Sequence, residues 1–235
     1  QATLNTQGLT FGPVVDGKTL LGGPFDPSAP ALSADIPVLI GTTEYEITFF
    51  PNTKYDPLDD AALRASFKTT TRAVNDADVE NLVSVYKKGR PGLTNLDYSL
   101  ILASDNFRGR VITEAERKAI QKAPVYLYYF TWQSPVREGK LKSFHTIEIP
   151  FAFDNVKTSR LTKDAPSAPA LADKVSDAWI AFARTGDPNT PKLPHWPAFD
   201  AVKRSTMVFD DASVVANDPL REQRIAMFAA LGLTT

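Results

Sequence analysis

The chain has 235 residues, of which 43% are hydrophobic and 23% are charged, and its formal net charge is −1. This composition is typical of a soluble globular protein with one large domain or two small ones, and the small net charge argues against nucleic acid or an anionic membrane as a partner. No apolar run reaches 18 residues, so no membrane span is predicted, and the lack of cysteine excludes disulfides and thiolate metal sites within the sequence.

The first half of the chain predicts one strand followed by helices. Residues 1–35 are rich in Gly, Pro and Ser and predict turns, and the short apolar run at 36–41 predicts a buried strand. Helices are predicted over 58–67, 76–87, 96–108 and 113–123. We expect Asp76 to cap the second helix, and Thr113 with Glu116 has the spacing of a capping box.

The second half contains the clearest strand, PVYLYYFTW at 124–132, which is aromatic and apolar throughout and is expected to be buried on both faces. A helix is predicted at 172–184 with Gly186 after its end, a strand at 206–210, and a last helix at 218–231 with Asp218 as its N-cap. Three strands are few for an α/β domain. The pattern therefore indicates either a mostly helical domain with a small sheet or one part of a larger α/β fold.

Two polar side chains follow predicted strands and could form a site. His145 follows the strand at 124–132 after a polar loop, and Glu46 lies just beyond the strand at 36–41. Loops at the carboxyl ends of strands carry the reactive groups of many α/β folds, and a carboxylate there could fix the tautomer of an imidazole. Many acid–histidine pairs can be drawn in any sequence, so a structural histidine remains the alternative. Glu44 is expected to be an ordinary solvent-exposed carboxylate.

Other kinds of site lack support in the sequence. The second histidine, His195, lies in LPHWPAF and is expected to belong to a packed loop. Two histidines without HExxH spacing do not predict a metal site, and no phosphate-binding G-x-x-x-x-G-K-[ST] loop is present. No serine has the G-x-S-x-G context of a nucleophile elbow. The chain thus offers a possible base and a possible orienting acid without an obvious nucleophile.

Three segments have counterparts in one known family. PVLIGTTEYEITFF at 37–50 is similar to PVLIGxNxDEGxxF, SFHTIEIPFAF at 143–153 to G-x-x-H-x-x-E-[IL]-x-[FY]-x-F, and AWIAFARTGDPNTPKLPHWPAFD at 178–200 to W-x-x-F-A-[RK]-T-G-[DN]-P-N…W-P-x-[YF]. These are segments of the carboxylesterase type-B and cholinesterase-like α/β-hydrolases, which the chain resembles over nearly its whole length. The resemblance implies an α/β fold class: the C-terminal portion of one α/β-hydrolase domain over residues 1–235, with few strands and many helices, incomplete without an N-terminal half.

The resemblance also implies roles for particular residues. The acid of a Ser…Glu…His triad falls on Glu46 and the base on His145, with Glu148 as a supporting acid. The positions that shape the substrate pocket fall on Phe49 and Phe50, which would suit an apolar acyl or aryl group. In addition, Asp105 and Arg224 resemble a buried ion pair that ties the helices together.

The chain departs from the family at Ile47, where the family has a glycine, and this puts the placement of the two phenylalanines in question. The serine elbow and the oxyanion loop would lie in the N-terminal half. The implied function is a serine carboxylester hydrolase for small-molecule esters that needs no cofactor and no metal. The alternatives are a non-catalytic adhesion or partner-binding relative and a self-contained helical binding module. The lack of cysteine favours a bacterial source, and localisation is left open, with a secreted or periplasmic protein among the alternatives.

Overall fold

The computed structural model describes residues 12–71, 75–163 and 165–233, so the first eleven residues of the turn-rich stretch lie outside the described part. Within these ranges the chain forms four strands and six α-helices. The strands are β1 (Val38–Thr43), β2 (Val125–Phe130), β3 (Ser205–Phe209) and β4 (Val214–Asn217). The helices are α1 (Asp60–Thr70), α2 (Asp76–Gly89), α3 (Asn95–Ala119), α4 (Ile149–Ala152), α5 (Ala168–Thr185) and α6 (Arg221–Leu231).

The strands form one sheet in the order β1-β2-β3-β4. The first three strands are parallel and β4 returns antiparallel to β3. Thr43 lies opposite Phe130, which in turn lies opposite Phe209, so the carboxyl ends of the three parallel strands lie at the same end of the sheet. The helices α1 to α3 connect β1 to β2, and α4 and α5 connect β2 to β3. The α/β class is therefore confirmed.

Helices cover both faces of the sheet, and the alternation of side chains along β2 explains how. Tyr126 and Phe130 point into a cluster with α5, whereas Val125 and Leu127 pack with α3 and α6 on the other face. The expectation that this strand is buried on both faces is confirmed. A third cluster joins α1, α2 and the first half of α3 around Phe67, which is fully buried.

The strand predictions need two corrections. The first strand begins two residues later than expected and runs to Thr43, which brings its end closer to Glu46. The fourth strand, β4, was not predicted. It has four residues, none of them buried, and lies at the edge of the sheet beside β3. A short, exposed edge strand lacks the apolar run that reveals a buried one.

The helices predicted at 96–108 and 113–123 are one continuous helix, α3. Gly109 lies between the two predicted segments and packs against Leu233, whose Cδ1 would be 2.5 Å from a Cβ at this position. The capping box expected at Thr113 is wrong, since that hydroxyl donates to the Gly109 carbonyl inside the helix. The true capping box is formed by Thr94 and Asp97 at the start of α3.

Two other helix starts also differ from the prediction. Asn75 caps α2, so that Asp76 is its first residue. Asp218 does not cap the last helix, which starts at Arg221, and instead pairs with Arg224. The left-handed C-cap expected at Gly186, after α5, is confirmed. Among the described residues, no helix combines the length and apolar character needed to cross a bilayer.

Candidate active site

The ends of β1 and β2 bring the two predicted polar residues together. Beyond β1, the Glu44 N–H donates to the Phe130 carbonyl at 3.0 Å, and the Tyr45 N–H donates to the Ser143 carbonyl at 2.9 Å. The Ser143 hydroxyl donates back to the Phe130 carbonyl at 2.6 Å. The loop after β2 therefore leaves the sheet and returns to the carboxyl ends of β1 and β2. This return sets His145 beside Glu46.

Glu46 and His145 are in direct hydrogen-bond contact. His145 Nδ1 lies 2.6 Å from Glu46 Oε2, and the other oxygen, Oε1, accepts the Thr43 N–H at 2.7 Å. Glu46 is buried, whereas 46% of the His145 side chain is exposed. A buried carboxylate on Nδ1 fixes the tautomer that leaves Nε2 available for proton transfer and stabilises the protonated ring.

Contacts from three directions hold the turn that carries Glu46. The residues Glu46–Phe49 form a single 3-10 turn, in which the Thr48 hydroxyl contacts the carbonyls of Tyr45 and Leu141. The Ile47 N–H donates to Ser104 Oγ of α3 at 3.3 Å. Ile47 has no positive φ, so the side chain that replaces the family's glycine is accommodated without backbone strain.

Glu148 lies near this pair but does not contact it. Burial raises the pKa of its carboxyl group, the charge of Glu46 raises it further, and His145 opposes the shift. Its buried Oε2 has no hydrogen-bond partner within the described residues. The same two carboxylates, together with burial, raise the pKa of Tyr128 on β2. The surroundings of Glu148 therefore disfavour a second negative charge beside that of Glu46. The supporting role of Glu148 remains a prediction.

Aromatic rings surround the exposed imidazole. Phe50 stacks on His145, with ring centroids 5.6 Å apart, and Phe49 stacks on Phe144 at 5.0 Å. Both predicted pocket residues are partly exposed, as expected of side chains that could contact a ligand. Phe107 of α3 joins them, with its ring 6.3 Å from Phe50 and 6.5 Å from His145. The motif comparison missed Phe107, because the packing of α3, and not a local motif, brings this ring to His145. The sequence signal that could have identified it is an aromatic residue outside the main buried stripe of α3.

Glu44 is not the solvent-exposed carboxylate that the sequence suggested. It is buried and forms an ion pair with Arg90, at the C-terminus of α2. The same guanidinium donates to the Tyr129 hydroxyl at 2.9 Å and to Gln223 Oε1 at 3.1 Å. Because a buried charge is stable only when it is paired, Arg90 is what permits a carboxylate at position 44. The network joins α2, α6 and β2 to the strand end that leads to Glu46.

The expected ion pair between Asp105 and Arg224 is wrong. Asp105 accepts hydrogen bonds from the Tyr86 hydroxyl at 2.6 Å and from Gln223 Nε2 at 2.8 Å. Arg224 forms a two-pronged pair with Asp218 at 2.7 and 2.8 Å. Asp105 therefore joins α3 to α2 and α6, whereas Arg224 holds the segment that leads into its own helix.

The second histidine stays apart from this arrangement. His195 is exposed, while the neighbouring Trp196 is buried and its backbone is held by the Asn189 side chain. The loop is therefore packed as expected, although the histidine itself is not. No group of three or more His, Cys, Asp or Glu side chains suited to a metal ion occurs in residues 12–71, 75–163 and 165–233.

The chain matches one known protein family over nearly its full length. The sequence model of the Carboxylesterase family matches residues 1–228. The chain is 29% identical over 227 residues to the para-nitrobenzyl esterase of Bacillus subtilis, and 29% identical over 228 residues to the phenmedipham hydrolase of Pseudarthrobacter oxydans. These alignments cover 95% and 93% of this chain but 44% of each relative, so the chain spans about half the length of the curated relatives it matches.

Solved structures give the same result. A carboxylesterase of Geobacillus stearothermophilus superposes with a TM-score of 0.76 at 32% identity, over 96% of this chain and 47% of that one. A para-nitrobenzyl esterase structure superposes with a TM-score of 0.70 at 29% identity, over 94% of this chain and 44% of that one. The bacterial relatives are consistent with the expected bacterial source. The match over almost the entire chain, with the fold it predicts, means that this chain belongs to the carboxylesterase family.

Proposed function

We propose that the chain is the C-terminal part of a serine carboxylester hydrolase and supplies the acid and base of its Ser-Glu-His triad. The observation that carries the proposal is the 2.6 Å contact between buried Glu46 and half-exposed His145. Family membership and the esterase relatives support ester hydrolysis as the reaction. The nucleophilic serine and the oxyanion donors are proposed to come from an N-terminal portion, because no G-x-S-x-G motif occurs in this sequence.

The edge of the sheet supports such a second portion. β1 is parallel to β2 and carries Leu39 and Ile40, yet within the described residues it pairs on one side only. Parallel sheets are normally covered on both faces, and an apolar strand edge is usually paired or protected, since its unpaired backbone groups invite association. The N-terminal portion would extend the sheet from β1, and it is the partner that we propose for this chain.

The mechanism follows from the chemistry of the pair. The serine hydroxyl attacks the ester carbonyl while His145 Nε2 accepts its proton, and Glu46 stabilises the resulting imidazolium. Collapse of the tetrahedral intermediate breaks the bond to the alcohol, which takes the proton from His145 and leaves an acyl-serine. Water then attacks the acyl-serine with His145 again as base, which releases the carboxylic acid and restores the serine. The substrates are small-molecule carboxylic esters, and no cofactor takes part in these steps.

Site-directed variants of the full-length protein that carries this chain test the proposal. His145→Ala should lower kcat by on the order of 10³-fold or more, and Glu46→Gln somewhat less, with KM roughly kept. His195→Ala removes the other, exposed histidine and should stay within about twofold of the parent protein, in keeping with a surface substitution away from the site. Near-full activity of His145→Ala would refute the assignment.

Labelling distinguishes the enzyme from the partner-binding alternative. A fluorophosphonate probe should modify one serine of the full-length protein, as seen by intact mass spectrometry, and the His145→Ala variant should label much more slowly. A full-length protein that never labels would favour a non-catalytic relative in which Glu46 and His145 are retained without chemistry.

A further inference from the structure

Phe107 forms one corner of a triangle of rings around the imidazole. Its ring centroid is 6.3 Å from Phe50 and 6.5 Å from His145, and Phe50 lies 5.6 Å from His145. The planes of the two phenylalanines are only 16° apart, and that of Phe50 is 21° from the imidazole. The plane of Phe107 is tilted by 37° from the imidazole, so the near-parallel pair that forms an apolar wall beside the proposed base is Phe50 with Phe107.

Phe107 lies at the margin of the buried part of α3. Leu100 and Ser104, seven and three residues before it on the same face of the helix, are buried, whereas Ile101, Asp105, Arg108 and Ile112 form the main buried stripe on another face. Phe107 is 39% exposed, and Phe50 is 43% exposed. A single exposed phenylalanine needs no explanation, but two that face each other beside a half-exposed histidine form an apolar patch of the kind that marks a ligand surface.

We propose that Phe107 is a specificity-determining residue that, with Phe50, selects esters carrying a flat aromatic ring within three bonds of the reacting carbonyl carbon. This inference rests on the proposed function, because it places the carbonyl within reach of His145. A substrate ring would stack in an offset arrangement on the two parallel phenylalanines, which favours planar groups over saturated rings of the same size. Phe107 makes this contact from α3, outside the three segments that resemble the family.

A structural role for Phe107 makes a different prediction. If the ring only supported Phe50, or were covered by the rest of the protein, its loss would lower stability without changing the choice between substrates. The variants are therefore Phe107→Ala and Phe107→Leu in the full-length protein, with Ile120→Ala as control. Ile120 is an exposed apolar side chain at the far end of the same helix.

The experiment compares kcat/KM for two matched pairs of esters: ethyl benzoate with ethyl cyclohexanecarboxylate, and benzyl acetate with cyclohexylmethyl acetate. The first pair places the ring on the acyl side and the second places it on the alcohol side. Both Phe107 variants should lower the aromatic preference in one of the pairs by roughly three- to tenfold, the size expected for a lost ring–ring contact. Ile120→Ala should leave both ratios unchanged, and thermal melting of the leucine variant should stay near that of the parent protein.

Unchanged ratios in both pairs would overturn the inference, as would a drop in melting temperature with no change in either ratio. His145→Ala, measured in parallel, separates the two proposals. If that variant loses activity while the Phe107 ratios stay constant, only the specificity assignment fails. If it keeps its activity, the proposed function fails as well.

Discussion

Glu148 lies beside the acid–base pair in a position that is unfavourable for a third charge. Its pKa is raised chiefly by burial and also by the carboxylate of Glu46, and its buried Oε2 lacks a hydrogen-bond partner among the described residues. The folded protein therefore holds the proton of Glu148 more tightly than the unfolded chain does. A carboxyl group whose pKa is raised on folding costs stability once the pH exceeds its unfolded value, and the full cost appears above its folded value.

Replacing this carboxyl group should reveal that cost. Glu148→Gln in the full-length protein should raise the melting temperature relative to the parent protein more at pH 7 than at pH 4, because only the parent protein must ionise the group. Thermal melts at pH 4, 5, 6 and 7 measure the difference, and Glu138→Gln, at an exposed loop position, is the control and should show no such trend. A gain independent of pH would mean that Glu148 is not destabilised by its charge.

Single residues also show the limit of prediction from sequence. The motifs gave Glu46 and His145 as candidates, which the structure places in contact, because both lie in local segments that can be compared with a family. They did not identify Arg90 or Phe107, which reach the site from α2 and α3 across 38 or more positions of the chain. Such contacts depend on how helices pack, and local sequence patterns do not encode that packing.

At the scale of the secondary-structure elements, the strands β1 and β2 approach each other closely at Gly41. Gly41 stands opposite Tyr128, and a Cβ at position 41 would lie 2.4 Å from both Tyr128 Cγ and the Tyr128 carbonyl oxygen. The carbonyl belongs to the sheet backbone and cannot rotate away. Because position 41 has no side chain, β1 and β2 can lie side by side. These are the strands that lead to Glu46 and His145.

We expect Gly41→Ala to destabilise the full-length protein by about 3 kcal/mol, the upper range for overpacking, because the backbone of β2 would have to move. Urea unfolding monitored by circular dichroism measures this. Gly22→Ala is the matched control, since no atom lies within 4 Å of a Cβ there, and it should change stability by well under 1 kcal/mol. An equally small effect at position 41 would show that the strands can separate without cost.

The more deeply an element is buried, the more accurately the sequence predicted its position. β2 is apolar and aromatic throughout and was predicted almost to its ends, whereas the exposed β4 was missed. The long helix α3 was predicted as two shorter helices, and residues 109–112 between them lie within it. Gly109 and Ile112 are buried in this stretch, so tertiary packing holds as helix what the local pattern left unassigned.

At the scale of the whole molecule, the described part of the chain presents an apolar strand edge and an aromatic patch to solvent. Phe49, Phe50 and Phe107 are each 39–45% exposed, and β1 has a neighbour on one side only. Surfaces of this kind are usually covered in a folded protein. The proposed N-terminal portion would cover the edge of β1, whereas the aromatic patch would stay open to the substrate as part of the site.

Residues 1–235 expressed alone should therefore bind a hydrophobic dye and associate in solution, and they should not hydrolyse phenyl acetate. Size-exclusion chromatography and dye fluorescence, compared with the full-length protein at equal concentration, test this expectation. A monomer that melts cooperatively and binds no dye would instead support the self-contained binding module considered from the sequence.

The loop between β2 and His145 leaves the sheet, and its two ends are joined to each other before the chain returns to the sheet. Ser134 pairs with Lys142 through its N–H at 3.1 Å, and Ser143 is tied to the end of β2, so both ends of the excursion are fixed independently of what lies between them. The segment 136–140 can consequently change in length or composition while the histidine keeps its place. Evolution or an engineer could remodel this loop as a separate module and leave the contact between Glu46 and His145 unchanged.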